Sequence, residues 1–205
     1  MKLAIVFLGI VGLACSAPQP RKLFHEHVED FLDIILDEVA DQMEELTEEY
    51  IKYEEFLTSV DYMLTNNFKD LVYEMESLPE FQAVVDFLEN DDIDIHYFLD
   101  RINEFLEGAA PRSRVQTSGK DMTAYINDCI SIFPKSKLAA LFDQKIAEDE
   151  EFRVAIENLE SDEFKQTFNA LWESETFRAE VDALHENGIH VESLLDEIIA
   201  IFGQN

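Results

Sequence analysis

The sequence predicts an all-α protein built from one helical unit used twice. Three observations lead there. Apolar residues recur at i, i+3, i+4 spacing along most of the chain, with acids between them. Convincing period-2 alternation is absent, and six Gly and five Pro in 205 residues are too few for the turns of an all-β chain. The chain also matches itself at an offset of 96 residues.

The first segment is read as an address. Residues 1–17 carry Lys2, then an apolar run from Leu3 to Leu13, then the small residues Ala14, Cys15, Ser16 and Ala17. That is the pattern of a secretory signal peptide, with cleavage after Ser16 or Ala17. The apolar run falls short of the roughly 20 residues needed to span a bilayer.

Helical stripes follow. Val28, Phe31, Leu32, Ile35, Val39, Met43 and Leu46 form the first. Phe56, Leu57, Val60, Met63 and Leu64 form the next. Phe81, Val84, Val85 and Leu88 repeat the pattern, as do Phe152, Ile156 and Leu159. Asn66-Asn67, Ser77 to Pro79, Asn90 to Asp92 and Asn187-Gly188 punctuate them, so the predicted helices are short.

Residues 68–107 align without gaps on 164–203, and 11 of the 40 positions are identical. Chance in this composition would give roughly three, so duplication is the better account. Glu54-Glu55-Phe56 matches Glu150-Glu151-Phe152 at the same offset. The predicted organisation is a signal peptide (1–17), a first helical repeat (18–107), a linker (108–120) and a second repeat (121–205). The linker has three basic residues, no acid and no helical stripe.

Charge excludes several partner classes. The chain has 15 Lys plus Arg against 45 Asp plus Glu, a net −30. Loss of Lys2 with the leader leaves the mature chain at −31. Nucleic acid and anionic lipid both need clustered Lys and Arg, so neither is an expected electrostatic partner. Cys129 is the one cysteine left, so no internal disulfide is expected. It lies among Ile126, Ile130 and Ile132 and reads as a core residue.

Short amphipathic helices are marginal in water, so each must lay its stripe on neighbours. Two like halves suggest two like surfaces facing across a pseudo-two-fold axis. Periodicity alone allows a closed bundle with Phe in its core. It equally allows a shell whose apolar inner wall encloses a ligand, because both need the same inward residues.

Particular motifs carry a resemblance. Tyr125 to Pro134 forms an opening helix that ends in Ile132-Phe133-Pro134. Asp149-Glu150-Glu151-Phe152, Glu163-Phe164-Lys165 and Glu175-Thr176-Phe177 open the next three helices. Glu186-Asn187-Gly188-Ile189-His190 makes a glycine turn. The first half keeps Tyr53 to Phe56, Asn67-Phe68-Lys69, Leu78 to Phe81 and Ile93-Asp94. In this order the motifs resemble the insect allergen-related repeat family over roughly residues 25–203. That family includes a cockroach gut allergen, mosquito midgut microvillar proteins and nitrile-specifier proteins. The first half departs at two positions, with Glu38 for Pro134 and Asp92 for Gly188.

The resemblance implies a pseudo-symmetric α capsule of two repeats, each of five to six helices, around an apolar cavity. It implies a secreted gut protein, in the lumen or at the microvilli, that carries fatty acids or phospholipids and touches membranes transiently. Membrane lysis is a secondary expectation. No cofactor is expected beyond the lipid itself. An acyl chain gains about 0.8 kcal/mol per buried CH₂, so such a cavity needs no specific polar motif. The expected wall residues are the in-register aromatics Phe56, Phe68, Phe81, Phe152, Phe164 and Phe177. Phe98, Phe105, Phe168, Trp172, Leu195 and Ile198 join them as weaker candidates.

The alternative is a non-catalytic structural or interaction protein of the microvillar surface. An enzyme has little support: there is no Gly-x-Ser-x-Gly elbow and no phosphate-cradling loop. His25, Glu26, His27 and Asp30 form a cluster that reads as solvated polar side chains near a frayed terminus rather than as a metal site. His96, His185 and His190 look dispersed, and no metal site is expected.

Overall fold

The computed structural model describes residues 22–108 and 120–193. The leader, most of the linker, Leu195 and Ile198 lie outside them. Among the described residues no strand is present, a further helix begins at 191, and ten α-helices are complete. They are α1 (Phe24–Tyr50), α2 (Glu54–Met63), α3 (Asn66–Ser77), α4 (Pro79–Asn90), α5 (Ile95–Gly108), α6 (Met122–Ser131), α7 (Lys135–Glu148), α8 (Glu150–Leu159), α9 (Asp162–Glu173) and α10 (Glu175–Glu186).

The boundaries of three helices recur 96 positions later: α2 at α8, α3 at α9, α4 at α10. The local chemistry recurs with them. The Thr65 hydroxyl caps α3 by accepting from the Phe68 N–H at 3.2 Å. Ser161, 96 positions on, caps α9 through the Phe164 N–H at 3.1 Å.

The turns after α4 and α10 also coincide. Asp92 has φ +60° and Gly188 has φ +77°. Each closes its helix with the same pair of bonds. Asp92 N–H donates to Glu89 O and Ile93 N–H to Leu88 O; Gly188 N–H donates to His185 O and Ile189 N–H to Leu184 O. This is a Schellman ending, with a buried isoleucine after the left-handed residue in both copies.

One element departs from the short helices expected. α1 runs unbroken for 27 residues, whereas its counterpart is split into α6 and α7 around Pro134. Proline lacks the N–H and clashes with the preceding turn, and Glu38 imposes neither penalty.

The halves do not keep separate cores. Val84 and Leu88 of α4 pack with Ala155, Leu171, Phe177 and Val181 from the second half. Tyr50, Phe56 and Leu71 pack with Met122, Leu184 and Ile189. Phe31, Ile35 and Val39 of α1 pack with Leu138 and Phe152. Every core therefore draws side chains from both 96-residue segments. Cys129 is buried in this interior, and burial pushes its thiol up.

Candidate functional site

The expected wall residues fall into two environments. Phe56, Phe152 and Phe177 are buried. Phe56 meets Tyr125 at 4.9 Å and Tyr50 at 5.6 Å between ring centres. Phe164, Phe168, Trp172 and Phe177 form a chain of ring contacts, each 5.2–6.1 Å from the next. Phe68 packs edge-on to Tyr62, and Phe81 borders the first core. These side chains are spent on one another.

The second environment is open. On α5, Phe98 is half-buried, Ile102 is 47% exposed and Phe105 is 56% exposed. On α1, which packs against α5, Leu32 and Leu36 are 49% and 55% exposed. Positions 98, 102 and 105 lie at i, i+4, i+7, one continuous apolar face. Large apolar side chains one and two turns apart on neighbouring helices are what an uncovered binding face looks like.

The polar cluster near the start of α1 corrects the surface reading. His27 is 3% exposed. Lys145, on α7, is also buried; its ammonium donates to His27 Nδ1 at 3.0 Å and pairs with Asp30. Lys22 pairs with the same Asp30 oxygen at 2.5 Å. Burial, then the Lys145 charge, lowers the His27 pKa below its ordinary value. The neutral ring accepts from Lys145 at Nδ1 and so carries its proton on Nε2. That nitrogen is buried without a hydrogen-bond partner, with Asp149 Oδ2 3.4 Å away. Burial alone would raise the Asp30 pKa, but hydrogen bonds from Lys145 and Lys22 outweigh it and hold it low.

Two clefts flank the Schellman turns. The first, of about 170 Å³, lies between the start of α1, the α4–α5 turn and α8. The second, of about 300 Å³, lies between α2, the start of α6 and the turn after α10. Their linings correspond 96 positions apart: Glu89 with His185, Asp92 with Gly188, Asp94 with His190, Glu151 with Glu55, Ala155 with Ser59. The helix starts are tied to the turns in both. His25 pairs with Asp94 through its ring and its backbone N–H, and it stacks on Tyr97 at 4.0 Å. In the second copy the partners are exchanged, and His190 faces Asp121 at 3.8 Å.

His185 and His190 are not dispersed, since their ring centres stand 3.8 Å apart. Among the described residues no group of three or more His, Cys, Asp or Glu side chains is placed to hold a metal ion. Nor is any described helix long and apolar enough to cross a membrane.

Lys145 was missed by sequence reasoning. It had a signal: with Leu138, Leu141 and Phe142 it occupies an apolar stripe position of α7. A lysine there must find partners inside.

A comparison with curated proteins finds no match. A protein-family model described as insect allergen related repeat, nitrile-specifier detoxification, matches residues 23–195. That span takes in every helix from α1 to α10 and both turns, and the chain belongs to the insect allergen-related repeat family.

Proposed function

We propose that this protein is a secreted, non-catalytic lipid carrier of the gut lumen or microvillar surface, holding fatty acids or phospholipids against an apolar wall. One observation carries the reading: the apolar faces of α1 and α5 stay open in a chain of net charge −30. Water contact with Leu32, Leu36, Ile102 and Phe105 is costly, and acyl chains laid on them recover about 25 cal/mol per Å². The recurring helices and paired turns favour two like half-shells forming a pseudo-symmetric capsule. The acidic exterior keeps such a capsule soluble and apart from its copies. Exchange with membranes requires transient contact, and lysis follows if exchange is fast.

A specific observation favours the second reading, a structural or interaction protein of the microvillar surface. The aromatic wall residues from Phe164 to Phe177 close on one another, and the two clefts reach only about 170 and 300 Å³. Organic extraction of the folded protein followed by lipid mass spectrometry separates the two. Near-stoichiometric acyl chains support the carrier. A lipid-free protein that also refuses added fatty acid supports the interaction role. Dye release from liposomes tests lysis, and no release from pH 5 to 10 removes it.

A further inference from the structure

The two clefts occupy equivalent places but differ in chemistry. In the first, the α1 wall supplies donors: the Lys22 ammonium, which also pairs with Asp30, and buried His27, whose Nε2 carries the ring proton and makes no hydrogen bond, with Asp149 Oδ2 3.4 Å away. The facing wall, the α4–α5 turn, supplies Glu89, Asp92 and Asp94. The two walls meet where His25 pairs with Asp94. Between them lie the rings of Phe24 and Phe152, stacked with centres 5.9 Å apart, and Glu151 stands beside them. One wall therefore suits an anion, the other suits a cation, and aromatic faces lie between.

We propose that this first cleft binds a zwitterionic phosphate–ammonium group, phosphate toward Lys22 and His27, ammonium beside the half-buried Phe24 ring toward the carboxylates. An ammonium is held by aromatic faces and by carboxylates together, and it gains most where water is excluded. A phosphate oxygen gives the buried Nε2–H the hydrogen bond that Asp149 Oδ2, 3.4 Å away, does not make. A cleft of about 170 Å³ suits one head group and no acyl chain. Leu23, half exposed, stands at its mouth.

The second cleft is a control within the same molecule. His185, Gly188 and His190 replace the three acids, Thr123 stands at the position of His27, and no Phe, Tyr or Trp lines it. The assignment therefore belongs to the first cleft alone.

The group can come from a phospholipid head or from a free soluble molecule. Only the first source rests on the carrier reading. The test is isothermal titration of the mature protein with phosphocholine, choline and inorganic phosphate, beside lipid uptake from phosphatidylcholine vesicles, phosphatidylglycerol vesicles and free fatty acid. Phosphocholine is expected to bind about tenfold more tightly than choline or phosphate. Glu151→Gln and Glu89→Gln, at the cleft rim, are each expected to weaken it about fivefold. His185→Asn, in the second cleft, is expected to leave it unchanged. Preferential uptake of phosphatidylcholine supports a lipid source. Phosphocholine binding without any lipid uptake supports a soluble source and sinks the carrier reading. Equal uptake of every lipid with no phosphocholine binding overturns the head-group site and leaves the carrier standing. Choline binding as tightly as phosphocholine overturns the dipolar assignment.

Discussion

Tyr50 is fully buried, yet it keeps a polar outlet. Its hydroxyl donates to Asp128 Oδ2 at 2.5 Å, and Lys120 stands 3.4 Å away. Burial, then the Asp128 hydrogen bond, pushes its pKa from 10.0 up to about 12. A phenol whose pKa is raised on folding contributes stability that is complete below pH 10. It is lost as pH rises through the folded value. Tyr50→Phe should cost about 1–3 kcal/mol in urea unfolding, because it removes a bond to a charged acceptor. It should also flatten the alkaline limb above pH 10. His27 works in the opposite direction. Its folded pKa lies below 6.5, so its share of stability is present above pH 6.5 and is lost as pH falls through the lowered value. Unfolding measured from pH 7 downward should show a smaller loss in His27→Gln than in the parent chain. An unchanged slope would mean that the ring is solvated.

At the scale of elements, the two Schellman turns solve one geometric problem with different residues. Gly188 is crowded as well as left-handed. A Cβ there would lie 2.6 Å from Ser59 Oγ and 2.9 Å from Asp121 Cβ. Gly188→Ala should therefore destabilise by about 2 kcal/mol or more. Asp92 already pays for its positive φ, so Asp92→Gly should change stability by less than about 1 kcal/mol. Thermal melts of the two variants check the contrast; equal losses would mean that the turns are not equivalent. The unbroken α1 follows the same logic of single residues. With Glu38 where α6 and α7 are parted by Pro134, one helix spans both, and Glu38 pairs with Lys137 of α7. An exposed pair of this kind adds little stability, so the continuity of α1 comes from the missing proline.

Across the whole molecule, all three cores are shared between the two 96-residue segments. Either half alone would expose the faces that the other covers, including Val84 and Leu88 of α4 and Phe152 of α8. Residues 18–107 and 121–205 expressed separately should lack a cooperative unfolding transition, and mixing them should restore one. Two independently folding halves, seen by calorimetry, would refute the interleaving.

The sequence by itself determined the helical class, the 96-residue period, the family and the left-handed glycine turn. All of these are written locally, in stripe spacing, cap residues and Gly188. Burial of Phe56, Phe152 and Phe177 was legible too, because an apolar stripe has to face something. Only the tertiary structure decided which aromatic faces are covered: Phe164 to Phe177 close on each other, while Ile102 and Phe105 stay open. A stripe records that a face is apolar and not what lies opposite it. The polar site needed the fold for the same reason. His27 and Asp30 lie more than a hundred residues from Lys145, in the other half of the chain. Their meeting depends on α1 crossing α7, and no local pattern encodes a crossing. His25 with Asp94 and His190 with Asp121 are likewise joined by the return of a turn to a helix start. Spacing along the chain carries helices and caps; distance in space is set by which helix packs on which.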